Sequence, residues 1–223
     1  MRKISLTKRE NTLVILGSYS LAREFYFHTI ESDTNYKDFI FVNDLDDGQN
    51  EVFVSGKNYR VVKDWKFDVA YPFIVAIGNP QIKHIMVKKA IDAGLYPADS
   101  IVHPSARIQD KGTCKIGKGG LISPNCILTT NITVGDFVTL NLSTTVGHDT
   151  TIGDFSTTNP GVHISGFVNI GERVEIGTGA CIKNNTNISS DNMIGAQCVV
   201  VKHIDENNGV YIGVPSKKLR PLK

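Results

Sequence analysis

Apolar positions along this chain keep two different rhythms. Between residues 12 and 97, short aliphatic runs that end in glycine alternate with longer amphipathic stretches. Thr12 to Leu16 (TLVIL) reads as a strand ending at Gly17, and Ala22 to Ile30 as a helix. Ile40 to Asn43 is a second strand before an acidic loop, Asp44 to Asp47, and Val61 and Val62 belong to a third. Phe73 to Ile77 (FIVAI) is a fourth ending at Gly78, and Ile82 to Ala93 is a helix stopped by Gly94. Strands that end in glycine and feed helices predict a small parallel α/β sheet.

From Ile116 the beat changes to six. Residues 116, 122, 128, 134, 140, 146, 152, 158, 164, 170, 176, 182, 188, 194 and 200 are all Ile, Leu or Val except Thr158. A period of six fits neither a helix nor a simple strand. Glycine follows the aliphatic residue at 117, 135, 147, 153, 171, 177 and 195, which suggests tight corners that need a residue without a Cβ. Such a hexapeptide repeat predicts a parallel β-solenoid whose stacked coils bury one column of aliphatic side chains. Val102 and Ile108 form an earlier copy that reaches the main register only after an eight-residue step, so a loop is expected near Asp110 to Thr113.

Composition changes this picture little. The 24 basic and 22 acidic residues of 223 leave a net charge of +2, with no long basic run to suggest a nucleic-acid partner. The apolar run near the N-terminus, Leu13 to Leu16, is too short for a membrane span, and a cytoplasmic location is expected. Cys114, Cys126, Cys181 and Cys198 form no CxxC pair. With three hexapeptides per coil, Cys126 and Cys198 share a column four coils apart, about 19 Å and beyond disulfide reach. No metal site is expected.

The candidate chemistry sits in VGHDTTIGDFSTTNPGVHISG. His148 lies two residues past interior Val146, so it should point outward. Acyl transfer to an amine or hydroxyl needs a base that titrates near neutrality, which histidine supplies, and Asp149 beside it could fix its tautomer. His163 is a rival base on the same face.

The glycine-led hexapeptides resemble the left-handed β-helix acyltransferases. VILGSYSLAREF, FVNDLDD, AIGNP, NLSTTVGHDTTIGDFSTTNPGVHISG and GVYIGVPSKKLR together resemble the sialic-acid O-acetyltransferase and bacillosamine-pathway sugar N-acetyltransferase family. The resemblance implies a Rossmann-like nucleotide-sugar-binding domain over residues 1–98. It implies a left-handed parallel β-helix acyltransferase domain over 99–223, acetyl-CoA as co-substrate, and a homotrimer with active sites between subunits. By the same resemblance His148 is the base with Asp149 in support, Asn141 helps hold the substrate, and Gly166 polarises the thioester. Thr178, Ala196 and Lys217 are then coenzyme contacts, as is Thr157, where some relatives carry a histidine. Gly17, Ser18 and Tyr19 would lie near phosphates or ribose, and Asn43 or Asp44 near the base of the nucleotide. Only the first glycine of GxGxxG is present, so NAD is not expected. The function implied is acetyl transfer to the amine of a nucleotide-linked deoxyamino sugar. O-acetylation of a sialic acid or related sugar, and a non-catalytic scaffold, are the alternatives.

Overall fold

The computed structural model describes residues 11–45 and 48–222; part of the acidic loop, Asp46 and Asp47, lies outside the described residues. The N-terminal part is built from β1 (Thr12–Leu16), α1 (Ser20–Glu31), β2 (Asp38–Val42), β3 (Glu51–Val54), β4 (Lys57–Val62), β5 (Pro72–Val75), α2 (Pro80–Asp92) and β6 (Tyr96–Pro97). They form one six-stranded sheet in the order β3-β4-β2-β1-β5-β6. All its pairs are parallel except β3 with β4.

That antiparallel hairpin escaped the sequence reading. Its two-residue turn is Ser55-Gly56, with φ of 52° and 74°, the doubly left-handed geometry that matches the twist of paired strands. The second predicted helix starts earlier than expected, at Pro80. Asn79 caps it by accepting from the Ile82 amide at 3.0 Å, and proline suits the first helical position.

Alternation along β1 sends side chains to opposite faces. Leu13 and Ile15 pack with Ala22, Phe25 and Tyr26 of α1, while Val14 and Leu16 pack with Met86, Val87 and Ala90 of α2. Both layers continue into the repeat region, one through Ile101 and Leu121 and the other through Phe137. The sheet therefore rests directly on the first coils.

From Ile101 onward the chain is a β-solenoid of the left-handed type. Two-residue strands stack in three parallel columns, each paired with the strand 18 residues later: Thr139 with Thr157, Thr145 with His163, Thr151 with Asn169. The aliphatic column is buried, including Ile122, Leu128, Val146, Ile164 and Ile182. The first coil is longer, pairing Arg107 with Ile127. Its extra residues form the expected loop, where the Asp110 carboxylate accepts from the Gly112 amide and the Thr113 hydroxyl, both at 2.9 Å. All four cysteines are free, with Cys126 and Cys198 fully buried.

The corner glycines serve a different purpose from the one expected. Left-handed backbone falls mainly on other residues, among them Asn131, Phe137, Asp149, Phe167 and Asn185. Gly117, Gly147, Gly153 and Gly177 are small because the next coil passes close by. A Cβ on Gly147 would lie 2.5 Å from the Gly166 nitrogen, and one on Gly177 equally close to that of Ala196.

The N-terminal part covers one face of this prism. Lys83 of α2 is fully buried there, its Nζ donating to Thr157 Oγ1 at 2.8 Å, Phe137 O at 3.0 Å, Thr139 Oγ1 at 3.1 Å and Ser156 O at 3.4 Å. Phe137 stacks between Phe73 and Phe155 at the adjoining corner. Two faces and the corners that carry Asn141 and His148 are left uncovered by the sheet.

Candidate active site

His148 stands on a solenoid corner because its backbone leaves the strand Thr145–Val146, and the following residue, Asp149, turns the chain with φ of 57°. The imidazole points outward as expected, its side chain 53% exposed. Asp149 Oδ2 lies 2.7 Å from His148 Nδ1. A carboxylate there favours the tautomer with the proton on Nδ1, which leaves Nε2 as the basic atom.

Asp149 is itself positioned. Asn131, one coil earlier in the same column, donates from Nδ2 to Asp149 Oδ1 at 2.5 Å. That hydrogen bond first, and then the one to His148, hold the Asp149 carboxyl below the usual carboxylate value. The edge of the His148 ring also meets Phe167, with centroids 5.0 Å apart and planes at 89°. Asn131 and Phe167 were missed in the sequence. The 18-residue period would have found them, since they precede and follow Asp149 by one coil.

Gly166 is one coil further along than His148 and lies against its ring. A Cβ on it would lie 2.7 Å from His148 Cε1 and 2.8 Å from Nε2. The Gly166 amide donates to no group of the chain among the described residues, so an unused backbone donor lies beside the His148 ring. His163 is exposed on the neighbouring strand, its Nδ1 2.9 Å from Thr145 Oγ1.

The other expected coenzyme and substrate positions fall on a different corner. Asn141, Thr178 and Ala196 belong to the corner that follows the Thr139–Leu140 column, with Thr178 and Ala196 exposed. Asn141 is held by its own fold: its amide reaches the Thr158 hydroxyl and carbonyl, each at 3.2 Å, and its Oδ1 accepts from Leu142. The one break in the aliphatic column, Thr158, thus has a local task, pairing also with Thr144 Oγ1 at 2.9 Å. Lys217 is exposed on Lys217–Pro221, which pairs with Gly209–Ile212 beyond the last coils.

Thr157 is a correction. It is 2% exposed and its hydroxyl accepts from Lys83, so it is turned into the junction with α2 and offers a coenzyme nothing.

Gly17, Ser18, Tyr19, Asn43 and Asp44 do come together. They line one cavity of about 360 Å³, with Gly78, Ile82 and Met86 among its other walls. It opens at the carboxyl ends of β1, β2 and β5, where α1 leads from β1 to β2 and α2 leads from β5 the opposite way to β6, a place where open α/β sheets bind ligands. Gly17 has φ of 125°, and a Cβ on it would lie 2.8 Å from the Ala76 carbonyl oxygen. Ser18 Oγ accepts from Asn43 Nδ2 at 2.8 Å and donates to Gln49 Oε1 at 2.9 Å. Gln49, not expected, is therefore part of the frame. Burial pushes the Asp44 carboxyl up, but hydrogen bonds from Lys89 and Trp65 outweigh this and leave it below its ordinary value.

No protein-family profile matches the chain. No curated protein matches it either. Solved structures do. The acetyltransferase domain of PglB from Neisseria gonorrhoeae FA1090 is 26% identical over 94% of this chain and 100% of its own, with a TM-score of 0.83, or 0.82 for its complex with acetyl coenzyme A. WeeI from Acinetobacter baumannii AYE is 25% identical over 93% of this chain and 99% of its own, with a TM-score of 0.79. PerB from Caulobacter crescentus, in complex with CoA and GDP-perosamine, shares the fold at 24% identity and a TM-score of 0.80 over 93% of this chain and 96% of its own. In fold, and along nearly its whole length, the chain is similar to these solved structures, an acetyltransferase domain among them.

Proposed function

We propose that the protein transfers the acetyl group of acetyl-CoA to the amine of a nucleotide-linked deoxyamino sugar, for surface polysaccharide or glycan synthesis. The observation that carries this reading is the His148–Asp149–Gly166 constellation, a base with its orienting carboxylate beside a backbone donor. Acetyl coenzyme A bound to the PglB domain supports the donor, and the PerB complex shows that this fold accommodates a nucleotide-linked sugar.

In this mechanism the sugar amine attacks the thioester carbonyl carbon. His148 Nε2 takes the proton that the amine sheds, and Asp149 stabilises the imidazolium that forms. The Gly166 amide donates to the carbonyl oxygen as charge gathers there. The tetrahedral intermediate collapses, the C–S bond breaks, and His148 returns the proton to the departing thiolate. No step needs a metal.

The nucleotide is assigned to a Rossmann-like unit over residues 1–98. Diphosphate would sit at Gly17-Ser18-Tyr19 before the α1 N-terminus, where backbone amides favour an anion, with Asn43 and Asp44 toward the base. Residues 99–223 carry the acyl transfer.

A homotrimer completes the site. Asn141, Thr178 and Ala196 occupy one corner column and His148 and Gly166 the next, a full prism face apart, on the order of 15 Å for about five extended residues. Between them runs a face with Ile127, Thr145, Cys181 and Val199 turned outward. Packing three such faces about an axis brings one subunit's Asn141 corner to the His148 corner of the next, with coenzyme between them and Lys217 near its phosphates. Among the described residues no helix is long and apolar enough to cross a membrane. With four free thiols and an acetyl-CoA co-substrate, we place the enzyme in the cytoplasm.

The test is thiol release from acetyl-CoA with UDP-, GDP- and dTDP-linked amino sugars and free sialic acid. Turnover with a nucleotide-linked amino sugar, lost in His148→Ala, is expected. Turnover with sialic acid alone would mean O-acetylation, and silence across the panel with no coenzyme binding would leave a scaffold.

A further inference from the structure

Where the end of α1 meets the first coil, three metal-binding side chains gather far from any role assigned above. His28 and Glu31 are three residues apart on α1 and so share a helix face. His103 follows the strand Ile101–Val102. A ring nitrogen of each histidine and a Glu31 carboxylate oxygen all lie within 4.8 Å of one another. The two rings meet edge to face at 5.6 Å, and His103 Nε2 is 2.9 Å from Glu31 Oε2.

The junction is also where hydrogen bonding is incomplete. Among the described residues, the two buried side-chain polar atoms without a partner are His28 Nδ1 and Ser123 Oγ. Ser123 follows Ile122, the register partner of Val102, so it lies one coil above His103. Buried polar atoms are ordinarily paired, and an unpaired one signals a missing water, ion or ligand.

We propose that His28, Glu31 and His103 form a divalent-cation site, with zinc as its natural ion, that fastens the end of α1 to the first solenoid coil. Two imidazoles and one carboxylate are a zinc donor set, leaving a fourth position for water. Tetrahedral bonds of about 2.0–2.1 Å require donor atoms roughly 3.4 Å apart. Glu31 Oε2 already stands 2.9 Å from His103 Nε2, and its side chain, 54% exposed, is free to adjust as the His28 ring draws in.

The neighbours suit this role. His103 Nδ1 is 2.8 Å from Ser105 Oγ and 3.1 Å from the Ser105 amide. In this structure Nδ1 accepts from the Ser105 amide; with Nε2 on the metal the ring proton sits on Nδ1, which exchanges that bond for one donated to Ser105 Oγ, the usual second hydrogen bond of a metal-bound imidazole. Ser105 Oγ is itself fixed by the Asn125 amide at 3.1 Å. The site shares the corner column of Asn141 two coils earlier, about 10 Å along the axis, and is not part of the acetyl-transfer constellation.

The experiment uses tag-free full-length protein dialysed against zinc, with metal content measured by mass spectrometry and Co2+ substitution followed by visible absorption. One zinc per chain is expected, with a tetrahedral cobalt spectrum and a zinc-dependent rise in melting temperature. The double variant His28→Gln/His103→Gln should lose all three, and Ser105→Ala should weaken zinc by about 10- to 100-fold. His148→Ala should retain the full metal content, which separates this site from the catalytic histidine. Circular dichroism checks the fold of each, and Glu31→Gln gives a milder probe should the double variant unfold. Wild-type protein that holds no zinc above the buffer level, or zinc content unchanged in the folded double variant, would overturn the proposal.

Discussion

The Nε2 edge of His148 lies over the α-carbon of Gly166, one coil above it, so closely that a methyl group there would stand 2.8 Å from Nε2. Gly166→Ala should therefore push the base aside and leave the coils stacked. We expect kcat to fall by about 100-fold or more, the scale of a 1 Å misplacement, with the melting temperature little changed. Steady-state kinetics beside a thermal melt check this, and an unaltered kcat would remove Gly166 from the positioning of His148.

His148→Ala should lower kcat/KM by about 10²- to 10⁴-fold, as steady-state kinetics will show. Asn131→Ala acts one step further out. It frees Asp149 from the stronger of the two hydrogen bonds that hold its carboxyl low, so the pH at which Asp149 protonates and kcat/KM falls should rise while KM for acetyl-CoA stays put. A loss of stability without any change in the pH profile would show that Asn131 only ties coils together.

Complementation tests the division of the site between subunits. Asn141→Ala and His148→Ala homotrimers should each be nearly inactive, yet co-expression should restore about a quarter of the sites, those that draw each intact residue from a different chain. Absence of recovery in purified mixed trimers would place both residues in one chain's site.

In the nucleotide cavity, Asn43→Ala removes the donor to Ser18 Oγ. KM for the nucleotide sugar should rise with KM for acetyl-CoA unchanged. Gly17→Ala should be more damaging, because its φ of 125° and the 2.8 Å approach to the Ala76 carbonyl oxygen oppose any side chain. Paired KM measurements distinguish a substrate wall from general loosening.

Lys83 links stability to pH. Burial lowers its amine to about 7 in the folded protein, partly offset by Glu175, whereas the unfolded chain keeps the proton to about 10.4. Between those values the unfolded state binds more protons, so stability rises with pH, by at most about 1.4 kcal/mol per unit. Below pH 7 both states are protonated and the contribution is flat. Denaturation from pH 6 to 9 should show this rise in wild type and not in Lys83→Met; parallel curves would mean that the four oxygens around the ammonium keep it charged.

How much of this was legible in the sequence depends on distance along the chain. The solenoid was, because its period repeats the same local rule at every coil and Ile116 to Val200 states that rule many times over. The outward direction of His148 followed from the same local logic, whereas the gathering of Gly17, Ser18, Tyr19, Asn43 and Asp44 was implied by the family resemblance alone. The β3–β4 hairpin was not legible, since Ser55-Gly56 is a weaker turn signal than Asn-Gly. Thr157 was misread because nothing near it announces that Lys83, 74 residues earlier, is buried against it. Asn131 and Phe167 fell between these cases, hidden only until the 18-residue column is counted.

The coil period also makes chain length a discrete variable for this active site. One extra coil of 18 residues inserted before Asn131 would lift Asn131, Asp149, His148 and Gly166 together and leave their relations intact. The same insertion between Asp149 and Gly166 would produce an equally well-stacked protein whose base and backbone donor had slipped apart by about 4.8 Å. Families built on such a scaffold can thus lengthen freely at the ends, while the two coils that hold the chemistry must stay adjacent.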